Sequence, residues 1–85
     1  MSKTDAEIHN GCVQRFIDLA NAMKNEGTDV NIVSGGLMSA SALYASFLVA
    51  GNDGGLTASG VDKVSAVYKR ELERIQRVKR EQNAT

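Results

Sequence analysis

The sequence predicts a small all-α protein: three helices in a small bundle, with an apolar helix at its centre. Three observations lead to this prediction. Apolar residues recur at spacings of three and four, strand-like alternation is missing, and glycine alone, without any proline, separates the periodic segments. The 85 residues suffice for one domain. We therefore expect a single helical domain over residues 1–85, with residues 1–3 and 83–85 disordered.

The first predicted helix covers residues 4–26. Thr4 and Glu7 have the spacing of a capping box, and Gly27 is suited to the left-handed conformation that ends a helix. We expect Cys12 to be a small buried hydrophobe, which is the usual behaviour of a free cysteine. One face carries a stripe of apolar residues that Val13, Ile17 and Ala20 widen; we name it the α1 stripe, and it consists of Ile8, Cys12, Phe16, Leu19 and Met23.

The second predicted helix covers residues 30–50. Asp29 can cap it and Gly51 can end it, although Ser34 could cap it instead and leave Val30 to Val33 extended. No charged residue lies between Val30 and Asn52, which raises the question of a membrane span. Serine and glycine dilute this run, and we expect the segment to be the central helix of a soluble protein.

The second helix has two unlike faces on a helical wheel. One half is bulky and consists of Ile32, Val33, Leu37, Leu43, Tyr44, Phe47 and Leu48. The other half carries mostly Gly, Ala and Ser, which let a second helix approach closely. Two neighbours cannot cover such a helix all round, so we predict a homodimer. The predicted dimer interface, which we name the small-residue face, consists of Gly35, Met38, Ser39, Ala42, Ala45 and Val49.

The third predicted helix covers residues 58–82, and Thr57 or Ser59 can cap it. Its polar sides are densely charged: Glu73 and Arg77 have the favourable i,i+4 spacing, and Glu71 with Arg74 is a weaker i,i+3 pair. A narrow apolar line of coiled-coil width, the α3 stripe, consists of Val61, Val64, Tyr68, Leu72, Ile75 and Val78.

The C-terminal half of the third helix has a local excess of positive charge. Six basic residues stand against three acidic ones between Lys69 and Glu81. The excess is modest, and a solvated, salt-paired surface is the plainer interpretation. The alternative is a surface that binds nucleic acid or an acidic partner, and its predicted basic face consists of Arg70, Arg74, Arg77 and Arg80.

No catalytic, cofactor or metal site is predicted within one chain. His9 follows Asp5 by four residues, yet no further residue completes the three protein ligands of a catalytic zinc site. Glu71 and Glu73 are two residues apart and diverge on a helix. The turn over residues 51–55 lacks the lysine of a phosphate-binding loop. We therefore expect a protein that is not an enzyme and needs no cofactor.

Several apolar segments resemble a family of short uncharacterised bacterial all-helical proteins. The residues that carry the resemblance are Phe16-Ile17-Asp18-Leu19-Ala20-Asn21, Val33-Ser34, Leu37-Met38, Leu43-Tyr44-Ala45-Ser46, Phe47-Leu48-Val49-Ala50 and Tyr68-Lys69. The resemblance covers residues 6 to 75, and the chain departs from it at Gly35-Gly36 and in the glycine-rich connector. It implies a compact helical bacterial protein and transfers no catalytic residue.

The function predicted from these observations is that of a non-enzymatic homodimeric helical module that binds another macromolecule. The first alternative is a small membrane protein of the phage lysis type, with Ile32 to Ala50 as its single span; the second is nucleic-acid or acidic-partner binding through the basic face. The ten basic and ten acidic residues cancel, so no whole-chain field attracts nucleic acid or lipid. The opening residues do not form a secretory signal, and a cytoplasmic location is expected.

Overall fold

The protein folds into three α-helices, and no strand occurs in residues 3–51 and 55–84, which are the residues described by the computed structural model. Helix α1 spans Asp5–Asn25, α2 spans Val30–Ala50 and α3 spans Ala58–Gln82. The predicted all-α class with an apolar second helix is confirmed. The predicted bounds agree with the observed ones to within one residue at every helix end.

Helix α1 begins and ends through local hydrogen bonds that the sequence specifies. The Glu7 backbone N–H donates to the Thr4 hydroxyl at 3.2 Å, and the Thr4 backbone N–H donates to the Glu7 carboxylate at 3.2 Å, so the predicted capping box is present. At the other end Gly27 has a φ of +106°. The Thr28 N–H donates to the Met23 carbonyl, which completes a Schellman motif.

Helix α2 begins at Val30 because Asp29 caps it. The Asp29 carboxylate accepts from the Asn31 backbone N–H at 2.8 Å, and the Asp29 carbonyl accepts from Val33 at 3.1 Å. The alternative start, with Ser34 as the cap, is wrong because residues 30–33 are already helical. The helix ends where Gly51 takes a φ of +79°, as predicted.

Helix α3 begins at Ala58 because Thr57 caps it, and the alternative cap at Ser59 is not used. The Thr57 hydroxyl accepts from the Gly60 backbone N–H at 3.1 Å. At the C-terminal end the Asn83 N–H donates to the Lys79 carbonyl and Ala84 donates to Glu81, so these two residues of the segment predicted to be disordered extend the hydrogen bonding of the helix. The turn considered as a phosphate loop includes residues 52–54, which lie outside the described residues, as do residues 1, 2 and 85.

The chain divides within α2 into two units, Met1–Ala42 and Leu43–Thr85. In the first unit Val33 is the one buried residue among those described, at 9% exposure, and Ala20 is half-buried. In the second unit no described residue is buried. Its half-buried residues are Ala45, Ser46, Ala50, Leu56, Gly60, Val64, Ala66 and Ile75. Most of the apolar stripe on each helix is therefore open to solvent.

Cys12 departs from its predicted environment. It was expected to be buried, and the structure exposes it on α1. The prediction was wrong because no part of the described chain covers the α1 stripe at this level, so its neighbour one turn on, Phe16, is 60% exposed as well. Burial of a residue on an amphipathic helix depends on a partner surface, which the periodicity of the helix does not supply.

Candidate interaction surfaces

Helix α2 is much more exposed to solvent than an apolar helix in an ordinary folded monomer. This 21-residue helix is the one helix of the described chain that is long and apolar enough to cross a membrane, and 6% of its most apolar window is buried. A core helix of a soluble monomer with the same composition is mostly buried. Helix α2 is therefore left largely uncovered by the described chain.

The small-residue face of α2 is mostly open. Its largest side chains, Met38 and Val49, are exposed, as are Gly35, Ser39 and Ala42, whereas Ala45 is half-buried. A Cβ added at Gly35 would meet no atom within 4 Å. The face thus has the room for a second helix that its composition predicts, except at Ala45, where part of the surface is already covered.

The bulky face of α2 is also open, which the wheel alone did not indicate. Leu48 is 82% exposed and Tyr44 is 75% exposed, and Ile32 is similarly open at 68%. These residues are absent from the predicted interface. The signal that could have identified them is the lack of any charged residue around the helix from Val30 to Asn52, since a face turned to water usually carries charge.

The α1 stripe forms a second uncovered apolar surface. Ile8, Phe16, Leu19 and Met23 are all exposed along one side of the helix. A shallow open depression on this side is lined by Cys12, Arg15, Phe16 and Leu19. All four residues belong to one helix, so the depression is a groove between neighbouring side chains and does not enclose a small molecule.

The α3 stripe is covered in part. Val64 and Ile75 are half-buried in the second unit, whereas Val61, Tyr68, Leu72 and Val78 remain exposed. A narrow apolar line of this kind is typical of a helix that packs against one further helix. The α3 stripe therefore leaves four of its six residues exposed.

The four arginines of the basic face differ in their surroundings. Arg74 donates from Nε to the Glu71 carboxylate at 3.1 Å and binds its second oxygen through a terminal nitrogen. Arg80 donates from Nε to the Gln76 carbonyl at 3.3 Å. In the described part of the chain Arg70 and Arg77 form no ion pair. Two of the four guanidinium groups are thus already engaged by the helix that carries them.

The charge pairs on α3 are not distributed as the spacing predicted. The i,i+3 pair between Glu71 and Arg74 forms, but the i,i+4 pair between Glu73 and Arg77 does not. Both pairs lie in water, where the Coulomb gain of an ion pair is close to the entropy lost by two long side chains. Small differences in side-chain geometry therefore decide which pair forms. The Glu71 hydrogen bond, followed by its charge, raises the pKa of Arg74.

The residues weighed for metal binding and catalysis do not converge. The His9 ring lies 3.4 Å from the Asn10 side-chain oxygen, next to it in the chain. In residues 3–51 and 55–84 no three His, Cys, Asp or Glu side chains form a group that could hold a metal ion. The described residues offer exposed apolar side chains on all three helices.

Comparison with protein-family models, with curated proteins and with solved structures found no match to this chain.

Proposed function

We propose that this chain is a non-enzymatic helical interaction module that completes its core by pairing with a second copy of itself through α2. The observation that carries the proposal is the combination of an uncharged 21-residue helix with almost no burial within the chain. The resemblance of its apolar segments implies a compact helical bacterial protein, and we propose a cytoplasmic location for it.

The energetic reason for pairing is the cost of leaving α2 in water. Fully burying one Leu, Ile or Met side chain is worth about 1.5–3 kcal/mol. The small-residue face of α2 exposes Met38 and Val49, and a two-fold pair through this face covers both side chains on both copies at once. The small-residue face lets the two backbones approach closely, so that the neighbouring Met38 and Val49 contact the partner helix.

The second candidate function is a single-span membrane protein, in which lipid covers α2. The observation in its favour is that α2 has the length and composition of a span. The basic segment of α3 would then stay on the cytoplasmic side.

Two observations favour a second copy over lipid. First, the α1 stripe and four residues of the α3 stripe are uncovered too, and a membrane around α2 would leave them in water. Second, α2 carries four serines and Asn31, which are polar groups that a lone span would expose to hydrocarbon. A protein partner supplies cover for all three helices, because it can pack beside any of them.

Sedimentation equilibrium of the full chain without detergent, over a hundredfold concentration range, tests the proposal. We expect a soluble protein with a mass of twice 9.1 kDa. A single-chain mass over the whole range would overturn it. A chain that sediments with membranes and needs detergent for extraction would overturn it in favour of the span.

A pair of variants locates the contact. Ser39→Phe places a large side chain on the small-residue face, and we expect it to weaken the dimer by at least tenfold, which is a cost of about 1.4 kcal/mol. Asn21→Phe makes a comparable change on the polar side of α1 and serves as the control. Equal dimer affinities for the two variants would place the contact elsewhere.

A further inference from the structure

The dipeptide Asn10-Gly11 joins an asparagine to a residue without a side chain. It is the single Asn-Gly pair in the sequence. The backbone nitrogen that follows an asparagine can attack the carbon of the side-chain amide, and glycine hinders this attack least because it has no Cβ. Asn10-Gly11 is therefore the pair of this chain best suited to an intramolecular attack on an asparagine.

Both residues are open to solvent. Asn10 and Gly11 are exposed on α1, and a Cβ added at Gly11 would meet no atom within 4 Å. Asn10 lies two residues from both Ile8 and Cys12 in the chain, so it points about 200° away from each of them around the helix axis. A surface that covers the α1 stripe would therefore still leave Asn10 accessible to water.

The helical backbone of α1 restrains this attack. In an α-helix the Gly11 N–H donates to the carbonyl four residues earlier, and this conformation holds the nitrogen away from the amide carbon. The reaction therefore requires the turn around Asn10 to open. Asn10 is close to the beginning of α1, and segments without buried contacts open locally at a lower cost than the whole protein.

The capping box is the contact that closes this end of α1. The Thr4 hydroxyl accepts from the Glu7 backbone N–H, and the Glu7 carboxylate accepts from the Thr4 backbone N–H, both at 3.2 Å. Every residue from Asp5 to Leu19 is exposed. Local hydrogen bonds, rather than buried side chains, therefore determine how often the first turns open.

From these observations we propose that Asn10 is a site of spontaneous deamidation, which proceeds when the first turns of α1 open. The Gly11 nitrogen loses its proton and bonds to Cγ of Asn10, the bond from Cγ to Nδ2 breaks, and the side-chain nitrogen leaves as ammonia with that proton. Water then hydrolyses the resulting succinimide to aspartate or isoaspartate. The reaction needs no oxidant, and it does not depend on the pairing of α2.

The products change α1 in two ways. Aspartate and isoaspartate both add a negative charge at residue 10 at neutral pH. Isoaspartate also lengthens the main chain by one carbon atom, which interrupts the regular hydrogen bonding of an α-helix. Formation of isoaspartate therefore shortens α1 from its N-terminal end and removes Ile8 from the α1 stripe.

Peptide mass spectrometry of the full chain, incubated at mildly alkaline pH, measures deamidation at each asparagine. We expect it to be several-fold faster at Asn10 than at Asn21, which lies in the same helix and precedes alanine. Gly11→Ala should lower the rate at Asn10 to that at Asn21. A rate in the wild type that is no higher at Asn10 than at Asn21 overturns the site.

Variants of the helix caps test the local opening. Thr4→Ala removes the capping hydroxyl of α1 and should speed deamidation of Asn10 about fivefold, whereas Thr4→Ser keeps an acceptor and should keep the wild-type rate. Thr57→Ala removes the cap of α3 and should leave the rate at Asn10 unchanged. Equal acceleration by Thr4→Ala and Thr57→Ala would show that the whole chain must unfold, and it would overturn the proposal, as would a Thr4→Ala rate equal to that of the wild type. Circular dichroism before incubation confirms that each variant is helical.

Discussion

Arg74 and Glu71 lie one turn apart on α3, and the arginine binds both oxygens of the carboxylate, with Nε at 3.1 Å from Oε2. The pKa of Arg74 is raised by this hydrogen bond and by the charge of Glu71. A basic group whose pKa is raised by folding stabilises the folded state at pH values below its pKa in the unfolded chain. This stabilisation is lost only as the pH rises through its pKa in the folded chain. The contribution is therefore constant at neutral pH, and it is small because the two side chains are exposed to solvent, at 55% and 47%.

The ion pair between Glu71 and Arg74 reduces the number of arginines on α3 that are available to bind nucleic acid. With Arg74 paired and Arg80 bonded to its own helix, Arg70 and Arg77 are the remaining members of the basic face. Non-specific nucleic-acid affinity scales with the number of phosphates that basic residues neutralise. We expect no measurable binding of a labelled single-stranded RNA at about 0.15 M salt.

Fluorescence anisotropy checks this prediction with the wild type and a triple variant in which Arg74, Arg77 and Arg80 are changed to Gln. We expect that neither protein changes the fluorescence anisotropy of the labelled RNA. Binding that is strongly salt-dependent and is lost in the triple variant would instead support the basic face as a nucleic-acid interface.

The cap of α3 supplies a second prediction. Thr57→Ala removes the hydroxyl that accepts from the Gly60 N–H, and the free energy of unfolding should fall by about 1 kcal/mol. Thr57→Ser keeps an acceptor at the same place and should stay near the wild-type value. Urea unfolding followed by circular dichroism at one protein concentration measures both, and equal losses in the two variants would show that the cap does not stabilise α3.

The turn after α1 supplies a third prediction. Gly27→Ala places a side chain at a φ of +106°, and we expect it to lower the free energy of unfolding by about 1–2 kcal/mol. Gly11→Ala is the matched control, because Gly11 is helical and an added Cβ meets nothing within 4 Å. The control should raise stability by up to about 1 kcal/mol. Thermal unfolding of the two variants should thus shift in opposite directions, and a shift in the same direction contradicts the left-handed turn.

The adjacent glycines of α2 supply a fourth prediction. Gly35 belongs to the small-residue face and Gly36 does not, yet in the single chain an added Cβ meets nothing within 4 Å at either position. Both changes to Ala should favour the helix by about 0.5–1 kcal/mol through propensity alone. Close approach of a second α2 at Gly35 should cancel this gain for Gly35→Ala and weaken the dimer, whereas Gly36→Ala should leave the dimer Kd unchanged.

Sedimentation equilibrium measures the dimer Kd of both glycine variants and tests whether Gly35 lies in the interface. The informative comparison is between neighbours with the same residue type and the same secondary structure. A dimer Kd that is equal for both variants would remove Gly35 from the interface.

The ends of the helices were predictable from the sequence because their causes are local. Thr4 with Glu7, Asp29 with Asn31, and Thr57 with Gly60 each form a hydrogen bond within three residues along the chain. Gly27 and Gly51 take the positive φ values that favour glycine. Such features depend on neighbours in the chain, so the sequence alone determined the number, the type and the limits of the helices.

Burial depends on residues distant in sequence, and here the tertiary structure decided the outcome. Periodicity predicted the apolar stripe that contains Cys12, but it could not show that nothing in the described chain covers it. The wheel separated two faces of α2, yet only the structure showed that Leu48 on the bulky face is as open as the small-residue face. Apolar periodicity predicts which side of a helix must be buried. Whether another helix covers that side depends on residues distant in sequence, which periodicity does not describe.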